Sequence, residues 1–99
     1  MIRPYNKYQV LIIADHQVLI TRGYDEDQNK YTLDIEVPLT LMEEKQEVAD
    51  VSATAEFKFN EEEKRDNAFF KILEKDPTTM ENLEQTVLGT IDTVKKTID

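Results

Sequence analysis

"YTLDIEVPLTL", residues 31–41, alternates without a break: Tyr31, Leu33, Ile35, Val37, Leu39 and Leu41 on one side, Thr32, Asp34, Glu36, Pro38 and Thr40 on the other. A period of two marks a strand with one face in a core and one in water, because successive side chains of a strand point to opposite faces. Pro38 has no amide hydrogen to give a ladder, so the strand is expected to lie at an edge, or to be kinked or bulged, at that point.

The pattern returns downstream. In "VSATAEFKFN", residues 51–60, Val51, Ala53, Ala55, Phe57 and Phe59 are expected to face the core while Thr54, Glu56, Lys58 and Asn60 face water. The link "MEEKQE", residues 42–47, is polar and fits a hairpin loop or a mobile flap. Upstream, "YQVLII" (8–13) and "VLITRGY" (18–24) are rich in β-branched residues and are separated by "ADHQ", which suggests another hairpin or one bent strand.

After Asn60 the period lengthens to that of a helix. Asn60 followed by Glu61, Glu62 and Glu63 reads as a helix start, with the Asn60 side chain as cap, Glu63 in the capping-box position and carboxylates at the positive end of the dipole. Ala68, Phe69, Ile72 and Leu73 then share one face of a helix ending near Lys75. Asp76 is expected to cap a second helix with Pro77 at its first position. Met80, Leu83, Val87, Ile91, Val94 and Ile98 form its apolar stripe, with Leu88 beside it and threonines 79, 86, 90, 93 and 97 along the other flank.

The fold class expected is therefore α+β: an antiparallel β-meander of three to four strands within residues 8–59, then helices over 61–75 and 78–98, at least one packed on the sheet. The 99 residues, 39% of them hydrophobic, fit one domain with one core.

Composition excludes several chemistries. The chain has no cysteine, hence no disulfide, thiolate nucleophile or Cys-ligated metal. The apolar run from Val10 to Ala14 is far shorter than a signal core or a membrane span, so a cytoplasmic location is expected. Twenty-one acidic against twelve basic residues give a formal net charge of −9, which disfavours direct binding to nucleic acid or an anionic membrane. The basic pairs Lys64/Arg65 and Lys95/Lys96 are isolated, and the first is flanked by carboxylates. Both read as solvated helix faces.

"DEDQNKYTLDIE", residues 25–36, places Asp25, Asp27, Asn29 and Glu36 where a twelve-residue calcium loop has ligands. That loop needs glycine at its sixth position, which here is Lys30, and it needs helices on both sides rather than strand patterns. The stretch reads as the tip of a hairpin, with no more than nonspecific divalent binding at Asp25, Glu26 and Asp27. His16 is the only histidine and sits in an expected turn, without the partners a general base needs. Ser52 has no nucleophile-elbow motif around it. Gly23 and Gly89 are too few for a glycine-rich phosphate loop. No cofactor is implied, and an enzyme is the minority reading.

What remains is surface. Phe70 lies at the margin of its helix's apolar face, where it either completes the core or anchors a partner. Val87, Ile91, Val94 and Ile98 fit a short heptad seam, interrupted at Glu84, through which the 80–98 helix could pair with a second copy.

The function expected is a non-catalytic protein-binding domain: an acidic inhibitor or adaptor docking on a basic, nucleic-acid-handling partner, as anti-defence proteins of mobile elements do. Its contact candidates are Asp25, Glu26, Asp27, Glu43, Glu44, Glu61, Glu62 and Phe70. At the level of topology alone, a meander followed by two helices resembles the SecB-like export chaperones, and that resemblance implies binding of extended apolar segments. A small enzyme or divalent-cation-responsive module centred on residues 25–36 or His16 is the third reading.

Overall fold

The computed structural model describes the backbone of residues 2–4 and 9–98, with the side chains of 9–42 and 44–97. Five strand segments precede two helices: β1 (Ile2–Pro4), β2 (Gln9–Ile13), β3 (His16–Asp25), β4 (Lys30–Glu43), β5 (Gln46–Phe59), α1 (Glu62–Leu73) and α2 (Pro77–Ile98). Tyr8, the expected start of the first strand, lies outside the described residues, as do the side chains of Glu43 and Ile98. The fold is α+β, as the change of period from two to nearly four requires.

All pairings are antiparallel, in the order β1-β3-β4-β5, with β2 also on β3. Because β4 occupies one side of β3, the other two partners share its opposite side: β2 along residues 16–20 and β1 along 23–25. They form one interrupted edge, and the sheet is four positions wide. β1 was not expected; three residues are too few for an alternation to register.

The β2–β3 and β4–β5 turns each have two residues, and all four stand at positive φ: Ala14 at 51°, Asp15 at 65°, Glu44 at 52° and Lys45 at 68°. That is the primed turn geometry, whose twist matches the strands it joins. The polar "MEEKQE" link is thus a tight reversal inside two long strands.

Pro38 marks where β4 changes role. The β3–β4 register ends at Leu19 opposite Glu36, whereas the β4–β5 register continues through Pro38 opposite Ser52 to Glu43 opposite Gln46, with a shift between Leu41 and Met42. Among the described residues β4 is paired on one side only from Val37 onward, the edge position at which a strand tolerates a proline. The β4–β5 hairpin extends past the rest of the sheet as a two-stranded arm.

The core forms where one sheet face meets the helices. Ile13, Val18, Ile20, Leu33, Ile35, Val37 and Ala53 pack with Phe69 and Ile72 of α1 and Leu83, Val87 and Ile91 of α2. Each large apolar side chain so removed from water contributes about 1.5–3 kcal/mol. Leu83, Val87 and Ile91, the centre of the helix stripe, are thus covered by the chain's own sheet.

Three local expectations are corrected. The N-cap of α1 is Glu61, without a side-chain cap bond, while Asn60 Oδ1 accepts a hydrogen bond from Lys30 Nζ. A strand partner competes for the oxygen that the capping box would use. Arg65 is not on a solvated face: it is 1% exposed, donates to the Gly23 carbonyl at 2.7 Å and Asp66 Oδ1 at 2.8 Å, and lies 5.5 Å from the Tyr31 ring. Phe57, on the core side of β5, is 40% exposed.

At the end of α1, Lys75 stands at φ 56°, its amide donating to the Ile72 carbonyl and that of Asp76 to the Lys71 carbonyl. This is the Schellman pair of bonds. Asp76 then caps α2 as expected, accepting from the Thr79 amide and hydroxyl at 3.0 and 2.8 Å.

Candidate binding groove

The exposure of Phe57 leads to the site. Phe57 and Phe59 end β5 on the helix side of the sheet, opposite Leu33 and Tyr31 of β4. Above them the sheet is not fully roofed. The three-residue link from Glu74 to Asp76 turns α2 away from α1, and the helices meet each other less than each meets the sheet. Between them opens a groove of about 580 Å³, within the range of about 300–1,000 Å³ typical of ligand clefts.

Leu33, Ile35, Phe57 and Phe59 line it from the sheet, Ala68 and Ile72 from α1 and Leu83 from α2. Polar groups form the rest of the lining: Lys64, Asn67 and Lys71 of α1; Thr79, Asn82 and Thr86 of α2. Both threonine hydroxyls are engaged locally, Thr86 donating to the Asn82 carbonyl at 3.0 Å and Thr79 to Asp76. The α2 wall is therefore less polar towards a guest than its composition suggests.

Among the described residues the charged side chains lining the groove are Lys64 and Lys71, both exposed. Seven positions apart on one helix, they lie about 10.5 Å apart along its axis. Among the described residues neither forms an ion pair, although Lys71 adds, after the two Thr79 hydrogen bonds, to the forces holding the Asp76 carboxyl below its usual range.

The groove borders a second unfilled feature. β5 pairs with β4 on one side and, among the described residues, with nothing on the other. Fourteen residues of edge strand are a template for another extended chain, since alternate backbone amides and carbonyls have no ladder partner there.

The sequence candidates fall elsewhere. Asp25 is 9% exposed, accepts from the Asp27 and Gln28 amides at 3.0 and 3.3 Å and lies 3.7 Å from Lys58 Nζ. It fastens the hairpin tip. Glu26 and Asp27 are exposed at that tip. Asn29 takes a hydrogen bond from the Tyr24 hydroxyl, and Glu36 lies along β4, accepting from Ser52 at 2.8 Å. Among the described residues no three acidic or histidine side chains converge on a metal position. Lys30, at the start of β4, donates to Asn60, and Lys58 of β5 donates to Gln28 in the β3–β4 tip, so Asp25, Glu26 and Asp27 share one end of the sheet with Glu61 and Glu62. Glu43 and Glu44 are at the opposite end, on the tip of the β4–β5 arm.

Phe70 is 48% exposed, with its ring 5.7 Å from Phe69 and 5.7 Å from the Arg22 guanidinium. His16 pairs with Ile13 at the β2–β3 turn.

On the outer face Asp34 lies opposite Glu56. Burial, then a hydrogen bond to Glu56 and the repulsion of its charge, push the Asp34 carboxyl up to about 6.

Sequence reasoning did not find the groove residues. The one available signal was a pair of phenylalanines two apart at the end of a strand, more aromatic surface than the alanines upstream offer. No known protein family, curated protein or solved structure matches the chain.

Proposed function

We infer that the chain is a non-catalytic protein-binding domain that holds an extended, apolar segment of a partner against the helix side of its sheet. One observation carries this reading: an open apolar groove runs beside a fourteen-residue strand whose outer edge has no partner among the described residues. An added strand would complete backbone hydrogen bonds along β5, and every second side chain would turn toward Phe57 and the groove. Backbone pairing supplies affinity for any extended chain; the groove supplies preference for apolar side chains.

Titrating labelled peptides of alternating apolar and polar residues, followed by anisotropy and by backbone amide shifts, tests this. The expected result is shifts concentrated along β5 and the groove wall, with Phe57→Ala weakening binding about tenfold, as loss of a central aromatic anchor does. Binding that leaves β5 amides unmoved, or that ignores Phe57→Ala, would refute it.

A second reading, docking of a basic partner on the outer sheet face, is favoured by the crowding of Asp34 against Glu56. Burial first, then the Glu56 hydrogen bond and charge, raise the Asp34 carboxyl to about 6, and a cation docked there would offset the part that comes from Glu56. Capture of such a partner at low salt and its loss at high salt, with Glu36, Asp50 and Glu56 substituted in turn, distinguishes it from the groove.

A further inference from the structure

We propose that the groove selects segments carrying carboxylates among their apolar residues, with Lys64 and Lys71 as the selecting groups. The inference rests on the protein-binding reading and names the chemistry of the partner. Its basis is a local reversal of charge. The chain as a whole carries −9, yet among the described residues the groove is lined by two lysines and by no carboxylate.

Both ammonium groups stand on α1 above an apolar floor, and neither is neutralised by an ion pair among the described residues. An apolar guest that covers Phe57 and Leu33 excludes water from the groove. It also brings its own polar side chains beside Lys64 and Lys71. A lysine in that position would confront like charge, glutamine would leave the ammoniums to remaining water, and a carboxylate would pair with them.

The distant negative charges of the molecule do not cancel this preference. Asp76 is the acid beside the groove, influenced by Lys71 and engaged by the Thr79 amide and hydroxyl. At physiological ionic strength the screening length is about 8 Å, so carboxylates on the outer sheet face and arm tip act weakly on a guest that contacts the lysines. Acidic segments approach slowly and are held once seated: charge at a distance sets the encounter rate, and contact pairs set the dissociation rate. The apolar floor excludes a purely acidic, hydrophilic chain, which gains nothing from covering Phe57.

Three peptides decide it, identical in their alternating apolar residues and carrying two glutamates, two glutamines or two lysines at the polar positions. Their affinities are measured by anisotropy against the native chain and a Lys64→Glu/Lys71→Glu variant whose fold is checked by circular dichroism. With exposed pairs typically supplying a few-fold each, the glutamate peptide is expected to bind the native chain about fivefold more tightly than the glutamine peptide. The lysine peptide should bind weakest, the order should invert in the double variant, and the differences should shrink in 0.5 M NaCl. Equal affinity of the glutamate and glutamine peptides, or an order unchanged by the charge reversal, overturns the selection and leaves the protein-binding reading standing. If no peptide binds at all, both fall.

Discussion

Asp34 is a residue whose surroundings alter its chemistry. It sits on the outer face of β4, partly covered, with Glu56 directly across on β5. In the unfolded chain its carboxyl titrates near 3.8; in the fold burial first, and Glu56 second, raise it to about 6. The folded state therefore binds the proton more tightly than the unfolded one, so its stabilising contribution is complete below pH 4 and is lost as pH climbs toward 6. Solvent contact limits the effect, and about 1 kcal/mol is the scale expected. Asp34→Asn, measured by urea denaturation at pH 4.5 and 7, should stabilise the protein at pH 7 and flatten the dependence between the two. A variant with the native slope would show that other groups govern it. Arg65 illustrates how a residue escapes pattern reading. "EEEKRD" is charged throughout, and nothing in it tells that one side chain passes beneath its helix to the Gly23 carbonyl. The long-range acceptor belongs to β3, forty-two positions away in sequence.

At the scale of elements, legibility followed pattern length. β4 and β5 repeat their alternation over enough residues to fix both faces, and α2 carries its apolar stripe over more than four turns, so these were readable. The edge opposite β5 was not: it is split into β1 and β2, and β2 exposes Val10 and Ile12 on the outer face. The groove was unreadable for a different reason. It exists because two helices diverge, and their divergence is set by the link at Glu74–Asp76. Lys75 occupies the left-handed position there, φ 56°, where a side chain costs about 1 kcal/mol relative to glycine. Its amide and that of Asp76 close the end of α1. Lys75→Gly keeps these bonds and removes the strain, so thermal unfolding should show a gain of up to about 1 kcal/mol, reduced by the greater freedom of glycine in the unfolded chain. Because Lys75 does not line the groove, peptide affinity should stay at its native value. A destabilised variant would mean that the side chain makes a contact worth more than the strain.

Over the whole molecule, one imbalance governs both stability and recognition. The chain folds nine net negative charges into extents of 46 × 33 × 22 Å, and repulsion among them opposes the folded state at low ionic strength. Attractive pairs among the described residues offset part of it. Arg22–Asp66 and Arg65–Asp66 share one carboxylate beneath α1, Lys58 is divided between Asp25 and Glu56, and Lys96–Asp92 is solvent-exposed. The two partly buried arginine contacts are screened little by salt, whereas repulsion among exposed carboxylates is screened strongly. Added NaCl should therefore remove more repulsion than attraction, and the melting temperature should rise between 0.02 and 0.3 M; in a chain this size each kcal/mol gained corresponds to about 4–8 °C. Most of the rise should come below 0.15 M, where the screening length falls fastest on the scale of the molecule, and sucrose at equal osmolality should not reproduce that profile. A flat or falling melting temperature would mean that the arginine and lysine contacts already compensate the excess charge. A rise confined to low salt would place the cost in the exposed carboxylates, the same groups that make a groove lined by two lysines, and by no acid among the described residues, distinctive.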